Sequence, residues 1–377
     1  MKIAVVGLWH LGTITSLGLS NLGHQTTGFD KNKKIIDDLK KLNPPINEPG
    51  INKILKKNLN KNLFFDSELN NLREYKIVWI CFDSQINSRD LSNKNAIIKK
   101  IKEISKILRK NTIVLISSQI SLGTIKILEK YDFKYLKKKL KFVYVPENLR
   151  LGKSIELFLR PDRIVFGLRN KKIYQKHLVK IFKNIKCNKL IVSPETAEIS
   201  KHTINSFLAC SISFINEIGQ IARNYKVNFE DLEKCLKSDK RLGLYSYLKP
   251  GAPFSGGTLA RDLNFLEKIS KKFNTNNSVI KSIYKSNTNH SSWVKKLLKL
   301  KIKSKKFKIL QIGLSYTSNT TTLRRSFPFQ VFKFIKSKCE VKIYDEYIRL
   351  NSNEILNIKK NFLSPSEILN KKFDIIL

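Results

Sequence analysis

The opening thirty residues restrict the fold more than any other stretch. KIAVVGLWHLGTITSLGLSNLGHQTTGFD reads as a buried strand (Ile3 to Val6), a tight turn, a helix over about Leu11 to Leu22 and a second strand ending at Asp30. In such a βαβ unit the turn glycines let the backbone approach a pyrophosphate. That anion then sits on the helix N-terminus, where free N–H groups and the dipole favour it. Gly7-Leu8-Trp9-His10-Leu11-Gly12 has the GxGxxG spacing with Trp9 at its central glycine. Asp30, 18 residues beyond Gly12, stands where a carboxylate accepts from an adenosine ribose and repels the 2′-phosphate of NADP. The unit points to NAD, with Gly7, Trp9, His10, Leu11, Gly12 and Asp30 at the cofactor. Trp9 is expected to push the pyrophosphate outward or to demand a shifted turn.

Further βα units follow. YKIVWICFDS is a strand to about Phe82, a helix runs from about Asn95 to Leu108, and NTIVLISSQISLGT and KFVYVPENLR each begin as strands. Continuous apolar strands alternating with amphipathic helices call for a parallel sheet covered on both faces. Ligands bind beyond the carboxyl ends of such strands. Those ends are Asp83-Ser84, Ser117-Ser118-Gln119 and Glu147-Asn148, so Asp83 and Ser118 join the cofactor candidates.

SPETAEISKHTINSFLACSISFINEIGQIARNY opens with helix-start residues, Ser193 or Thr196 as caps and Glu195 and Glu198 in the first turns. It then runs about 25 residues without Gly or Pro, as far as Gly219, too long and too apolar for a surface helix. It reads as a central spine that packs across a dimer. Lys201 and Asn205 are i and i+4 and share one face. SDKRLGLYSYLKPGAPFSGGTLARD follows, with a helix beginning near Thr258 that places Asp262 one turn on.

Composition narrows the classes. A chain of 377 residues suggests two or three domains, since single cores rarely grow past about 250 residues. The formal charge of +42 is spread over the whole chain as Lys-rich runs mixed with Asn and Ile. It reads as a compositional drift, and no nucleic acid is expected as partner. Cys81, Cys187, Cys210, Cys235 and Cys339 are odd in number, far apart and without CxxC pairing. Neither a zinc site nor a disulfide framework is expected, and a reducing, cytoplasmic setting fits. No apolar run approaches 18 residues, so neither a signal peptide nor membrane insertion is expected.

VVGLWHLG, INEPGI, ISSQISLGT, VPENLRLG, RPDRIVFG, AEISKHTINSFLACSISFINE, GGTLARD and GLSYTSNTTTLRRS, in this order, resemble the landmarks of the UDP-glucose/GDP-mannose dehydrogenase family over almost the whole chain. The resemblance implies an N-terminal NAD domain, a helical centre that forms a homodimer and a C-terminal nucleotide-sugar domain. It also implies oxidation of a UDP- or GDP-sugar hydroxyl to a carboxylate in two NAD-dependent steps through a cysteine thiohemiacetal, in surface polysaccharide supply. Lys201 matches the lysine that stabilises alkoxide charge, Asn205 the asparagine beside it, Asp262 the aspartate that helps position water, and Glu147 the glutamate of VPENLRLG. Substrate contacts are implied at Asn148, Leu149, Arg241, Gly243, Tyr245, Phe254, Gly257, Arg324 and Arg325. No metal is implied.

The departures bear on chemistry. Thr258 stands at the family's cysteine, with Ala260 and Arg261 in place of the usual proline and lysine. A threonine hydroxyl stays protonated near neutrality, whereas a thiol ionises readily. Leu151 replaces a second glutamate, Gln119 a threonine and Thr317 a lysine. The expected architecture is α/β: a doubly wound Rossmann-like NAD domain (1–190), a long-helix dimerisation region with the active-site loop (191–300) and a shortened Rossmann-like nucleotide-sugar domain (301–377). The final KFDIIL strand has no following helix, so a naturally shortened member or a truncated product is expected. Two readings remain open: an NAD-dependent dehydrogenase without the thiohemiacetal step, or a catalytically impaired nucleotide-sugar and NAD binding homologue acting as a partner subunit.

Overall fold

The computed structural model describes residues 1–46, 48–83, 94–147, 149–255, 257–302, 307–316, 323, 325–348 and 355–377. The chain divides into two compact units, Met1–Lys201 and His202–Leu377.

The first unit is built on one eight-stranded sheet. Its strands are β1 (Lys2–Val6), β2 (Gln25–Phe29), β3 (Leu63–Asp66), β4 (Ile77–Ile80), β5 (Ile113–Ile116), β6 (Lys141–Tyr144), β7 (Arg163–Gly167) and β8 (Asn188–Val192). Their order is β3-β2-β1-β4-β5-β6-β7-β8. Every ladder is parallel except β6 with β7, which meet antiparallel through Tyr144 and Gly167. IAVV, IVWI and IVLI are wholly buried because helices cover both faces. Alternate side chains feed two cores: Ala4, Val6, Val78, Val114 and Ile116 on one face, Ile3, Val5, Trp79, Leu115 and Val143 on the other. β1 lies between β2 and β4, so the strand order reverses there and opens a crevice at its carboxyl end.

A spine helix, Pro194–Arg223, starts in this unit and continues into the second. Ser193 Oγ accepts from Thr196 N at 3.1 Å, which caps its first turn. The helix carries on through Gly219, where a Cβ would come 2.6 Å from the Pro250 Cβ. That glycine serves the seating of the 250–254 segment and does not end the helix.

The second unit has two cores. Ala209, Leu263 and Ile283 join the spine helix to Thr258–Lys272 and Ser278–His290. The other core lies on a three-stranded parallel sheet, β10-β9-β11, made of β9 (Lys308–Ile312), β10 (Glu340–Tyr344) and β11 (Ile375–Ile376). The helix Phe327–Lys336 packs on it through Phe327, Val331, Phe332 and Ile335. Ile376, on the edge strand β11, is exposed. Among the described residues no helix is long and apolar enough to cross a membrane.

Candidate functional site

The carboxyl ends of β1, β4, β5 and β6 share one edge because the four strands are parallel neighbours. Gly7 begins the turn after β1 with φ +96°, a left-handed value that favours glycine. Its N–H donates to the Phe29 carbonyl at 2.9 Å, and Leu8 N donates to Asp30 Oδ2 at 2.8 Å. Asp30 Oδ1 accepts from Asn32 N at 2.9 Å. A carboxylate offers about four lone-pair positions, so capacity remains for ribose hydroxyls.

The helix His10–Asn21 follows with no side-chain cap on its first turn. Gly12 cannot carry a side chain, because a Cβ would lie 1.8 Å from the Gly7 carbonyl oxygen. Trp9 has φ −81°, which any residue adopts, and its side chain is about half exposed. Its ψ of −138° lies outside the common backbone regions, while the side chain itself turns toward solvent. At the end of β5, Ser118 is fully buried and its Oγ has no hydrogen-bond partner among the described residues. A glycine turn that admits a phosphate, a helix start without a side-chain cap, a part-engaged Asp30 and an orphaned Ser118 hydroxyl fit a dinucleotide.

His10 belongs to a network that local sequence did not reveal. Its Nε2 meets Glu48 Oε1 at 2.9 Å and Ser154 Oγ at 3.1 Å. Ser154 Oγ and N donate to Glu48 at 2.8 and 3.1 Å. Glu48 is buried; burial pushes its carboxyl up, and the bonds from His10 and Ser154 outweigh that and hold it below the usual range. Glu48 stands in the INEPGI landmark, but its partners lie 38 and 106 residues away, so spacing gives no signal for the contact.

Glu147, just beyond β6, pairs with Lys201 of the spine helix and accepts from Leu149 N at 2.7 Å. Burial raises the Glu147 carboxyl, but the Lys201 ammonium and the Leu149 bond bring it below the ordinary range. Lys201 is itself buried. Cys81, immediately after β4, is fully buried with its Sγ 3.6 Å from Thr15 Oγ1, and burial pushes its thiol up. It is no substitute nucleophile.

In the second unit, Asp262 is fully buried and engaged on both oxygens. Oδ1 meets His202 Nδ1 at 3.0 Å, and Oδ2 accepts from Asn205 Nδ2 at 2.5 Å. The His202 ring also lies 3.9 Å from that of Phe265. Burial raises the Asp262 carboxyl, and the His202 bond, Arg261 and Asn205 lower it further than burial raises it. His202 is a site residue the sequence reading missed, because it pairs across 60 residues.

Thr258 is the first residue of its helix, as expected, and it is exposed. Its hydroxyl bonds no titratable side chain among the described residues. The loop before it is held at Phe254 by Asn287 (2.8 and 3.0 Å), and at Gly251 by Asn216 and His290 (both 2.8 Å). Gly257 stands at the helix start. Arg241 pairs with Asp239 at 2.6 Å, and both Arg241 and Tyr245 are exposed. Leu151 is also exposed. Ser84, Asn148, Gly256, Thr317 and Arg324 lie outside the described residues.

Residues 1–186 match the NAD binding domain and residues 195–289 the central domain of the UDP-glucose/GDP-mannose dehydrogenase family. The UDP-glucose 6-dehydrogenase of Rickettsia felis is 29% identical over 392 residues, covering 100% of this chain and 86% of its own. The UDP-glucose 6-dehydrogenase YwqF of Bacillus subtilis is 29% identical over 332 residues, covering 86% and 75%. A UDP-glucose dehydrogenase structure from Pyrobaculum islandicum superposes with a TM-score of 0.88 at 22% identity, covering 100% of this chain and 88% of that one. At that identity the last likeness concerns the fold.

Proposed function

Because the chain belongs to the UDP-glucose/GDP-mannose dehydrogenase family, with NAD as its cofactor, we propose that it oxidises one hydroxyl of a UDP- or GDP-sugar and stops at the carbonyl. Bound NAD supplies the hydride acceptor; Gly7, Leu11, Gly12, Asp30 and Ser118 hold it. The observation that carries the reading is the buried Lys201 ammonium fixed by Glu147. An ammonium has three donors and no acceptor, so Lys201 serves by holding the developing alkoxide charge. Glu147 fixes its direction and limits its motion.

The same residues explain why we assign two electrons rather than four. Thr258 has the nucleophile's place, yet no titratable side chain among the described residues bonds its hydroxyl to activate it. Asp262 is committed to His202 and Asn205, which suits an anchor better than a group that orders water. Asn205, with its amide nitrogen fixed by Asp262, is left to offer its carbonyl to substrate. Phe254, Gly257, Leu149, Arg241 and Tyr245 are assigned to the nucleotide sugar. Incubation with NAD and a panel of UDP- and GDP-sugars tests the reading. NADH is expected with at least one sugar, and none with any sugar would favour the binding-homologue reading.

We assign the spine helix to a homodimer interface. Ile204, Phe207, Phe214 and Ile221 are exposed at spacings of three and seven, so they form one apolar stripe. Sedimentation equilibrium is expected to give twice the chain mass, and Phe207→Glu with Phe214→Glu to give the monomer. A monomeric parent protein would contradict the assignment. The setting proposed is cytoplasmic, in keeping with five free cysteines.

A further inference from the structure

The segment 250–254 is neither helix nor strand, so no ladder satisfies its backbone groups. Two helices supply the partners instead. From the helix Ser278–His290, Asn287 Oδ1 accepts from Phe254 N at 2.8 Å, and Asn287 Nδ2 donates to the Phe254 carbonyl at 3.0 Å. One side-chain amide thereby closes both backbone groups of one residue, as a neighbouring strand does in a hydrogen-bonded antiparallel pair. His290 Nε2 meets the Gly251 carbonyl at 2.8 Å; a carbonyl only accepts, so that nitrogen carries the proton. Its Nδ1 accepts from the Gln220 amide at 3.2 Å. From the spine helix, Asn216 Oδ1 accepts from Gly251 N at 2.8 Å and Asn216 Nδ2 donates to the Ala252 carbonyl at 3.3 Å. Asn216 and Gln220 are i and i+4, Asn287 and His290 i and i+3, so each helix presents one face to this segment. Asn216 and His290 are buried, where a polar group is costly unless bonded, and these bonds all serve one short stretch of chain.

We propose that Asn287 is a positioning residue for the nucleotide sugar, acting through Phe254, while Asn216 and His290 hold the same segment at Gly251. The inference rests on the reading that assigns Phe254 and Gly257 to the nucleotide sugar. Phe254 is fixed by Asn287 at its N–H and carbonyl, and its side chain packs against the core of Ala209, Leu263 and Ile283. Residues 255–257 then lead to Thr258, whose helix is tied down one turn on by the bonds of Asp262 to His202 and Asn205. With both ends held, the sugar's partners are in place before substrate arrives, and binding spends less on ordering them. Loss of Asn287 frees one end, so its effect falls on binding of the sugar and not on the chemical step.

Steady-state kinetics of the full chain tests this, with NAD saturating and with the UDP- or GDP-sugar that yields NADH with the parent protein. Asn287→Ala is expected to raise KM for that sugar about tenfold, the worth of two lost hydrogen bonds, with kcat within about threefold of the parent. Kd for NAD is expected to stay unchanged. Asn287→Asp is nearly isosteric and keeps the bond from Phe254 N while setting a carboxylate against the Phe254 carbonyl. It is expected to raise KM as well, so misfolding of the alanine variant leaves the test intact. KM within about twofold of the parent in each folded variant, or a loss confined to kcat, would overturn the proposal while leaving the dehydrogenase reading in place. A parent protein that yields no NADH with any sugar would overturn both.

Discussion

Lys201→Met is expected to slow NADH formation by about a hundred- to a thousand-fold, the range seen when one preorganised donor to a developing oxyanion is removed. The loss belongs in kcat, with KM for the nucleotide sugar nearly unchanged, because the donor is strengthened only as alkoxide charge appears. Calorimetry is expected to give an unchanged Kd for NAD. The substitution also strips Glu147 of its main countercharge. In the parent protein the folded Glu147 value is depressed, so its contribution to stability is present above the unfolded value and is lost as pH falls. In the variant, burial dominates and the carboxyl titrates at higher pH, which infrared or NMR titration would register. A fall confined to KM would place Lys201 in substrate binding and out of the transition state.

The second large effect is structural. Asp262→Ala removes a carboxylate with no solvent exposure and leaves His202 Nδ1 and Asn205 Nδ2 without it. Urea unfolding is expected to show a loss of about 3 kcal/mol, the cost of stranding buried polar groups whose partner is deleted. Asp262→Asn is expected to recover only part of this, since its amide nitrogen donates where only acceptors are useful. The folded Asp262 value is depressed. Its stability is therefore complete above the unfolded carboxyl range and fades as pH falls through the folded value, so Asp262→Ala should lose less stability in acid than the parent. A loss below about 1 kcal/mol would mean that Asp262 is not the anchor described here.

Much of this was legible because some chemistry is imposed locally. Gly7 needs its positive φ and Gly12 its missing Cβ for the turn and helix to touch, so both appear as glycines at fixed spacing. Asp30 closes the same unit from the end of β2. IVWI and IVLI read as continuous apolar runs because both of their faces are covered. The spine was legible from its start signals, but Gly219 looked like an end, and only Pro250 packing against it shows why glycine is there. The antiparallel entry of β7 carried no mark in its own residues.

The site divides in the same way. Lys201 and Asn205, one turn apart, were readable from helix periodicity, and Thr258 and Asp262 from the helix that starts at Thr258. The partners that give them meaning were not. His202 adjoins Lys201 in sequence, yet its bond to Asp262 depends on two helices packing across the Ala209 and Leu263 core. The His10–Glu48–Ser154 network likewise joins three segments that only tertiary packing brings together. Residue types that bond locally announce themselves, whereas buried polar pairs between distant elements do not.

The central claim, one oxidation without covalent capture, is tested most directly by counting NADH formed per nucleotide sugar consumed. The parent protein is expected to give a ratio near one, with a carbonyl product trapped by hydrazine, and Thr258→Cys to move the ratio toward two. A parent ratio near two, or a Thr258→Cys ratio that stays near one, would contradict the assignment of that position.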